Sequence, residues 1–191
     1  MEEIEKENSA ATAGNGGLIN QDKIISQLGV KDGMIIADLG CGAGYFTIPI
    51  AKMLHDTGQV YAVDVLTAAL ESVVSQAKLY GLLNVYKKRA NVEVIGGTGI
   101  DSGKIDLVVM ANILFQCQDR DTLFQEAKRI LAPGGRIAVI DWIPNNAAMG
   151  PKYERCISEE TAKKIAIKNG LKVVQGIRAG ETHYGFVLEL V

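Results

Sequence analysis

Ala37-Asp38-Leu39-Gly40-Cys41-Gly42-Ala43-Gly44-Tyr45-Phe46 is the stretch on which the fold turns. Ahead of it, Met34-Ile35-Ile36 leads into Ala37-Asp38-Leu39 as a short, almost continuous apolar run. Such a run reads as a parallel strand buried on both faces. The glycines then let the backbone turn sharply and let another group come close to it. A helix must follow. Pro49 is tolerated only in a first turn, so that helix starts near Thr47 and runs to about Leu54. Strand, glycine turn, helix is the opening unit of a doubly wound sheet, whose ligands sit in the crevice at the carboxyl ends of its strands.

Outward from this unit, strand and helix patterns alternate. Asn20 caps a short helix, Gln21 to Leu28, that Gly29 stops. Val60 to Asp64 reads as a second strand, and Thr67 to Tyr80 as an amphipathic helix ended by Gly81. Val85 to Ala90 is a more polar, edge-type strand. Ile105 to Met110 is a fourth strand, and Asp119 caps a helix running to Leu131 that Pro133-Gly134-Gly135 ends. Ile137 to Asp141 is a fifth strand, Pro144 to Ile157 a polar loop, and Ser158 the cap of a helix ended by Gly170. Val173 to Arg178 and Tyr184 to Val191 read as two strands joined by a turn at Ala179 to Thr182. That connection is too short for parallel neighbours, so the sheet gains one antiparallel strand at its C-terminal end.

The chain has 191 residues, 48% of them hydrophobic and 22% charged, which suits one α/β domain with a substantial core. Residues 1–17 are polar, then small and glycine-rich, and are expected to be disordered, leaving a domain over 18–191. The acidic N-terminus has no apolar signal core and no apolar run is long enough for a bilayer, so a cytoplasmic protein is expected. A net charge of −2 argues against a nucleic-acid partner. Cys41, Cys117 and Cys156 are far apart and match no zinc spacing, so no metal site and reduced thiols are expected.

Two ligand classes use a glycine-rich first turn. Dinucleotide sites use GxGxxG, whose third small residue lets helix and strand pack closely about a pyrophosphate. Here that position is Tyr45, and the glycines Gly40, Gly42 and Gly44 run GxGxG instead. Asp64 ends the second strand, where a carboxylate accepts hydrogen bonds from both hydroxyls of a ribose. Val65 follows it and is placed to lie against an adenine. The simpler alternatives are a structural turn and a solvated or helix-capping aspartate; the two features together favour a nucleoside.

Asp38-Leu39-Gly40-Cys41-Gly42-Ala43-Gly44 resembles motif I of the class I S-adenosylmethionine-dependent methyltransferases, Asp64 resembles their ribose-binding acid, and Leu131-Ala132-Pro133-Gly134-Gly135 resembles the turn before their fifth strand. The resemblance covers roughly Gln21 to Val191 and is nearest the small-molecule branch that includes ubiquinone/menaquinone-type methyltransferases. It implies a Rossmann-like, doubly wound seven-stranded sheet with a reversed last strand, and S-adenosyl-L-methionine as cofactor. It also implies roles: Asp38 organises the loop and meets the methionine amino group, and Gly40, Cys41, Gly42 and Gly44 form the turn. Asn91 stands where the family often has an aspartate on the adenine amino group, and Val92 offers its backbone amide there. Ala111 and Asn112 flank the methionine portion and the transfer site.

The implied activity is methyl transfer to a small-molecule acceptor. RNA or protein acceptors, and a non-catalytic cofactor-binding scaffold, stay as alternatives. Ala111-Asn112-Ile113-Leu114 lacks the prolines of the loop used for adenine or glutamine N-methylation, and Gln116-Cys117-Gln118 does not match the cysteine setting of cytosine C5 methylation. Three scattered cysteines do not make a thiol site for arsenic. On the acceptor side, the turn from Ala179 to His183 should face the pocket because the sixth strand runs with the others. His183 is the candidate catalytic base or acceptor-binding group, or else a histidine on a surface turn. Phe115, Trp142 and Tyr153 either shape an apolar acceptor pocket or belong to the core.

Overall fold

The computed structural model describes residues 19–55, 57–144 and 150–191. The expected disordered tail lies outside these residues, as does the middle of the loop after Trp142. The elements, in chain order, are α1 (Gln21–Leu28), β1 (Ile35–Leu39), α2 (Thr47–Met53), β2 (Gln59–Asp64), α3 (Thr67–Leu79), β3 (Val85–Arg89), β4 (Ile105–Ala111), α4 (Arg120–Ile130), β5 (Leu131–Trp142), a 3-10 turn (Tyr153–Arg155), α5 (Glu159–Lys168), β6 (Leu171–Gly176) and β7 (His183–Leu190). Capping follows the sequence reading. Asn20 accepts from the Lys23 amide, Asp119 from that of Thr122 and Ser158 from that of Thr161.

The strands form one seven-stranded sheet in the order β3-β2-β1-β4-β5-β7-β6. β1 to β5 pair in parallel, and β7 runs antiparallel to both β5 and β6, so the reversed last strand is confirmed. The order reverses between β1 and β4, which opens a crevice beyond Leu39 and Ala111. One core layer packs Ile36, Leu107, Val109, Ala138 and Ile140 under Ile24, Ile25 and Leu28 of α1 and Ile50 of α2. The other packs Val108, Met110, Val139 and Phe186 under Leu123, Phe124 and Ala127 of α4 and Ala162 of α5. Each fully buried large aliphatic side chain stabilises the fold by about 1.5–3 kcal/mol. α1 buries three at once, which ties the N-terminal segment to the sheet.

Two boundaries differ from the sequence reading. β5 begins at Leu131, directly after α4, rather than at Ile137 after a turn. Leu131 pairs with Ile105 and Arg136 with Leu107, so the three extra residues of β5 are taken up in a bulge where Gly134 adopts φ 77°. The pairing continues on both sides of the bulge, so Pro133-Gly134-Gly135 kinks the strand instead of preceding it. β6 likewise starts at Leu171, immediately after Gly170, because Leu171 fills the core beneath α5.

Candidate cofactor and acceptor site

The turn after β1 is stitched to β2 by backbone bonds. The amides of Gly40 and Cys41 both donate to the Val63 carbonyl, at 2.8 and 3.0 Å. The Gly42 amide donates to Asp64 Oδ2 at 2.9 Å, and the Leu66 amide to Asp64 Oδ1 at 2.9 Å. The two features singled out in the sequence therefore meet. Each carboxylate oxygen of Asp64 keeps a free lone pair for a ribose hydroxyl.

The glycines serve the turn in different ways. Gly40 and Gly42 have φ of 75° and 52°, which side chains rarely adopt. A Cβ on Gly40 would run into the Ile113 side chain, whereas one on Gly42 would meet nothing within 4 Å. At Gly40 the obstruction is packing against the loop after β4, and at Gly42 the requirement is the backbone angle. Gly44 sits against Val73 and Ile48, so it brings α2 and α3 together.

Behind the turn, Asp38 is buried and its Oδ2 accepts from Thr47 Oγ1 at 2.6 Å. Burial pushes its pKa up to about 6, the Thr47 hydroxyl opposes this, and the charge of Asp64 adds to it. A buried carboxylate beside a second one favours a ligand carrying positive charge. Asn112 has φ 56°, and its amide donates to the Ile140 carbonyl at 2.8 Å. Its Oδ1 is buried with no hydrogen-bond partner, as is Gln21 Oε1 at the start of α1. Buried acceptors without donors cost stability unless a ligand supplies the donor. The sulfonium and α-ammonium of S-adenosylmethionine match this donor-poor, anionic set, so the residues present fit the cofactor.

Of the residues expected to meet an adenine, Val65 is 49% exposed and Val92 is buried. Asn91 is exposed, and its Oδ1 accepts from the Glu93 amide at 2.9 Å, which leaves one lone pair on that oxygen. Cys41 is buried, and burial drives its thiol pKa far above the ordinary value. Cys117 is pushed up to about 12 for the same reason. Neither thiol is a ready thiolate.

Of the residues expected on the acceptor side, Trp142 and His183 come together at the far end of β5. His183 pairs with Trp142 across β5 and β7, with ring centroids 4.1 Å apart. It is buried rather than on a surface turn. Its Nδ1 lies 2.9 Å from Thr182 Oγ1, while Nε2 is buried without a partner. Burial lowers its pKa to about 4. Phe115 is buried too, with the Arg155 guanidinium 6.0 Å from its ring centre, whereas Tyr153 is half exposed. Asp141 was not singled out by sequence. Its carboxylate accepts from the amides of Leu114 and Trp142 at 2.8 Å each, and burial raises its pKa to about 7 against those bonds. A lone aspartate at the end of an apolar strand, as in Val139-Ile140-Asp141, is the signal that would have found it. Among the described residues no group of His, Cys, Asp and Glu could hold a metal ion, and no helix is long and apolar enough to cross a membrane.

The family described as a methyltransferase domain matches residues 30–179. The chain belongs to that family. Its domain is of the class I S-adenosylmethionine-dependent methyltransferase type, and quinone methyltransferases are among its relatives. A 2-phytyl-1,4-naphtoquinone methyltransferase of Trichormus variabilis is 30% identical over 153 residues, covering 80% of this chain and 66% of that protein. An arsenite methyltransferase of Aquipseudomonas alcaligenes is 28% identical over 114 residues, covering 58% of this chain and 33% of that protein. The chain thus spans between a third and two thirds of the length of these relatives. A crystal structure of a SAM-dependent methyltransferase from Aquifex aeolicus superposes with a TM-score of 0.83 at 26% identity, with 91% of each chain covered.

Proposed function

We propose that this methyltransferase moves a methyl group from S-adenosyl-L-methionine to a small-molecule acceptor bound beside Asn112, Trp142 and His183, in the cytoplasm. The observation that carries the cofactor half is the Gly42 amide on Asp64 with buried Asp38 behind it. Asp64 accepts from the ribose hydroxyls, Asp38 and Asn112 face the methionine end, and Val65, Asn91 and Val92 receive the adenine. The bound sulfonium supplies an activated methyl group. The chain's task is then to align the acceptor atom and exclude water, which can lower a barrier by about 7–11 kcal/mol.

The small-molecule half is supported by the relatives, whose names give a naphthoquinone and arsenite as acceptors. His183 is the residue we assign to acceptor contact. With a pKa of about 4 it is neutral at physiological pH, so it orients a donor group of the acceptor through Nε2 rather than removing a strongly held proton. The test is transfer of radiolabelled methyl from the cofactor into fractionated cell extract. Label in the low-molecular-mass fraction, reduced about tenfold by His183→Phe, is expected. Label confined to RNA or protein contradicts the acceptor class, and unchanged transfer by His183→Phe contradicts the role of that residue.

A further inference from the structure

The segment between β3 and β4 carries the candidate adenine contacts, Asn91 and Val92, yet contains no helix or strand of its own. Its shape is imposed from α4. Glu126 sits on the core stripe of that helix, three residues after Leu123 and four before Ile130, and is fully buried. Its Oε2 accepts from the Gly96 amide at 2.7 Å, and its Oε1 from Thr98 Oγ1 at 2.6 Å and the Thr98 amide at 3.3 Å. Arg129, one turn on, pairs with Glu126 at 2.7 Å. Its Nη2 donates to the Ile100 carbonyl at 2.8 Å, and its Nη1 to Ser102 Oγ at 3.1 Å. Although burial opposes it, the Arg129, Thr98 and Gly96 donors hold the Glu126 carboxyl down at about 2.

Gly96 and Thr98 flank Gly97, which presses on the backbone of Asn91; a Cβ on Gly97 would run into the Asn91 carbonyl oxygen. The Gly97 amide also closes a turn onto the Val94 carbonyl at 2.8 Å. A continuous physical link therefore runs from the Glu126 carboxylate through Gly96, Gly97 and Thr98 to Asn91 and Val92. From the other end of α4, the Gln118 and Asp119 amides donate to Glu93 Oε2 at 2.8 and 2.6 Å and fix the near side of the same segment.

We propose that Glu126 is a positioning residue for recognition of the adenine base, acting through Gly97 on Asn91 and Val92. The proposal rests on the cofactor reading given above. Glu126 touches no ligand; it sets where the base-contacting residues lie. Its loss should weaken discrimination between bases more than grip on the sugar and amino acid, which other elements hold.

The test compares binding of S-adenosylhomocysteine and S-inosylhomocysteine, which differ in the base substituent facing Asn91, by calorimetry of the full chain. The wild type is expected to prefer the adenosyl compound. Glu126→Gln, which keeps shape and removes charge, should bind S-adenosylhomocysteine about tenfold more weakly and lose most of that preference. Gly97→Ala leaves α4 intact and should act in the same direction, which keeps the test decisive if Glu126→Gln folds poorly. Equal weakening toward both compounds, or unchanged binding, in a folded variant overturns the proposal while leaving the cofactor reading standing. A wild type that binds neither compound overturns both.

Discussion

Two glycine-rich loops leave the carboxyl ends of the strands, and they are held mainly by different means. The turn Gly40–Phe46 is held mainly by main-chain bonds to the neighbouring strand and by one aspartate on that strand's last residue, with a single helix side chain, Gln76 of α3, donating to the Ala43 carbonyl. The segment from Asn91 to Gly103 is held by side chains projected from a helix that follows it by tens of residues. The first loop is shaped by its own backbone and needs positive φ at Gly40 and Gly42. The second is shaped by the buried Glu126 carboxylate with its partly exposed Arg129 partner and needs close approach at Gly97.

The largest effect expected from this contrast is at Asp64. Removing a charged acceptor from two ribose hydroxyls costs on the order of 3 kcal/mol, so Asp64→Ala should weaken S-adenosylhomocysteine binding about a hundredfold in calorimetry. Next in size is Gly40→Ala, which combines a strained φ with the clash on Ile113 and should lower stability by roughly 2–3 kcal/mol in urea unfolding. Gly42→Ala has the strain without the clash and should cost about 1 kcal/mol. Equal losses at the two positions would break the account of the first loop.

A further effect is expected from pH. Asp38 has its pKa raised from 3.8 to about 6, so the stability linked to it is full below the unfolded value and is lost as pH rises through about 6. Above that pH the unliganded protein carries a buried charge that the cationic cofactor neutralises. Affinity for S-adenosylmethionine should therefore fall as pH drops below about 6. Asp38→Asn should flatten that profile and stabilise the unliganded protein at pH 8 by roughly 2 kcal/mol. A destabilised Asp38→Asn at that pH would contradict the assignment of strain to this carboxylate.

The contrast between the loops also explains what could be read from sequence. The seven strands, the reversed β7 and the importance of the glycine turn and Asp64 were legible because each depends on local pattern: apolar runs, glycines at fixed offsets and a short β6–β7 connection. The strand order and the bond from the Gly42 amide to Asp64 were not. Burial of His183 against Trp142 was not legible. Placing its turn on the pocket side followed from strand direction, but its neighbours depend on pairing across β5 and β7. Glu126 left a readable signal, a carboxylate on the apolar stripe of α4, but its partners Gly96 and Thr98 lie in another segment. The bulge in β5 was missed because Pro133-Gly134-Gly135 has the composition of a turn, and only pairing with Ile105 carries the strand through it.

A structure of the protein with S-adenosylhomocysteine bound tests the central claim most directly. The account predicts the nucleoside across the Gly40–Gly44 turn, with both ribose hydroxyls about 2.5–3.0 Å from the Asp64 carboxylate and the homocysteine end beside Asp38 and Asn112. A saturated complex with the ribose away from Asp64, or with the crevice after β1 empty, would contradict it.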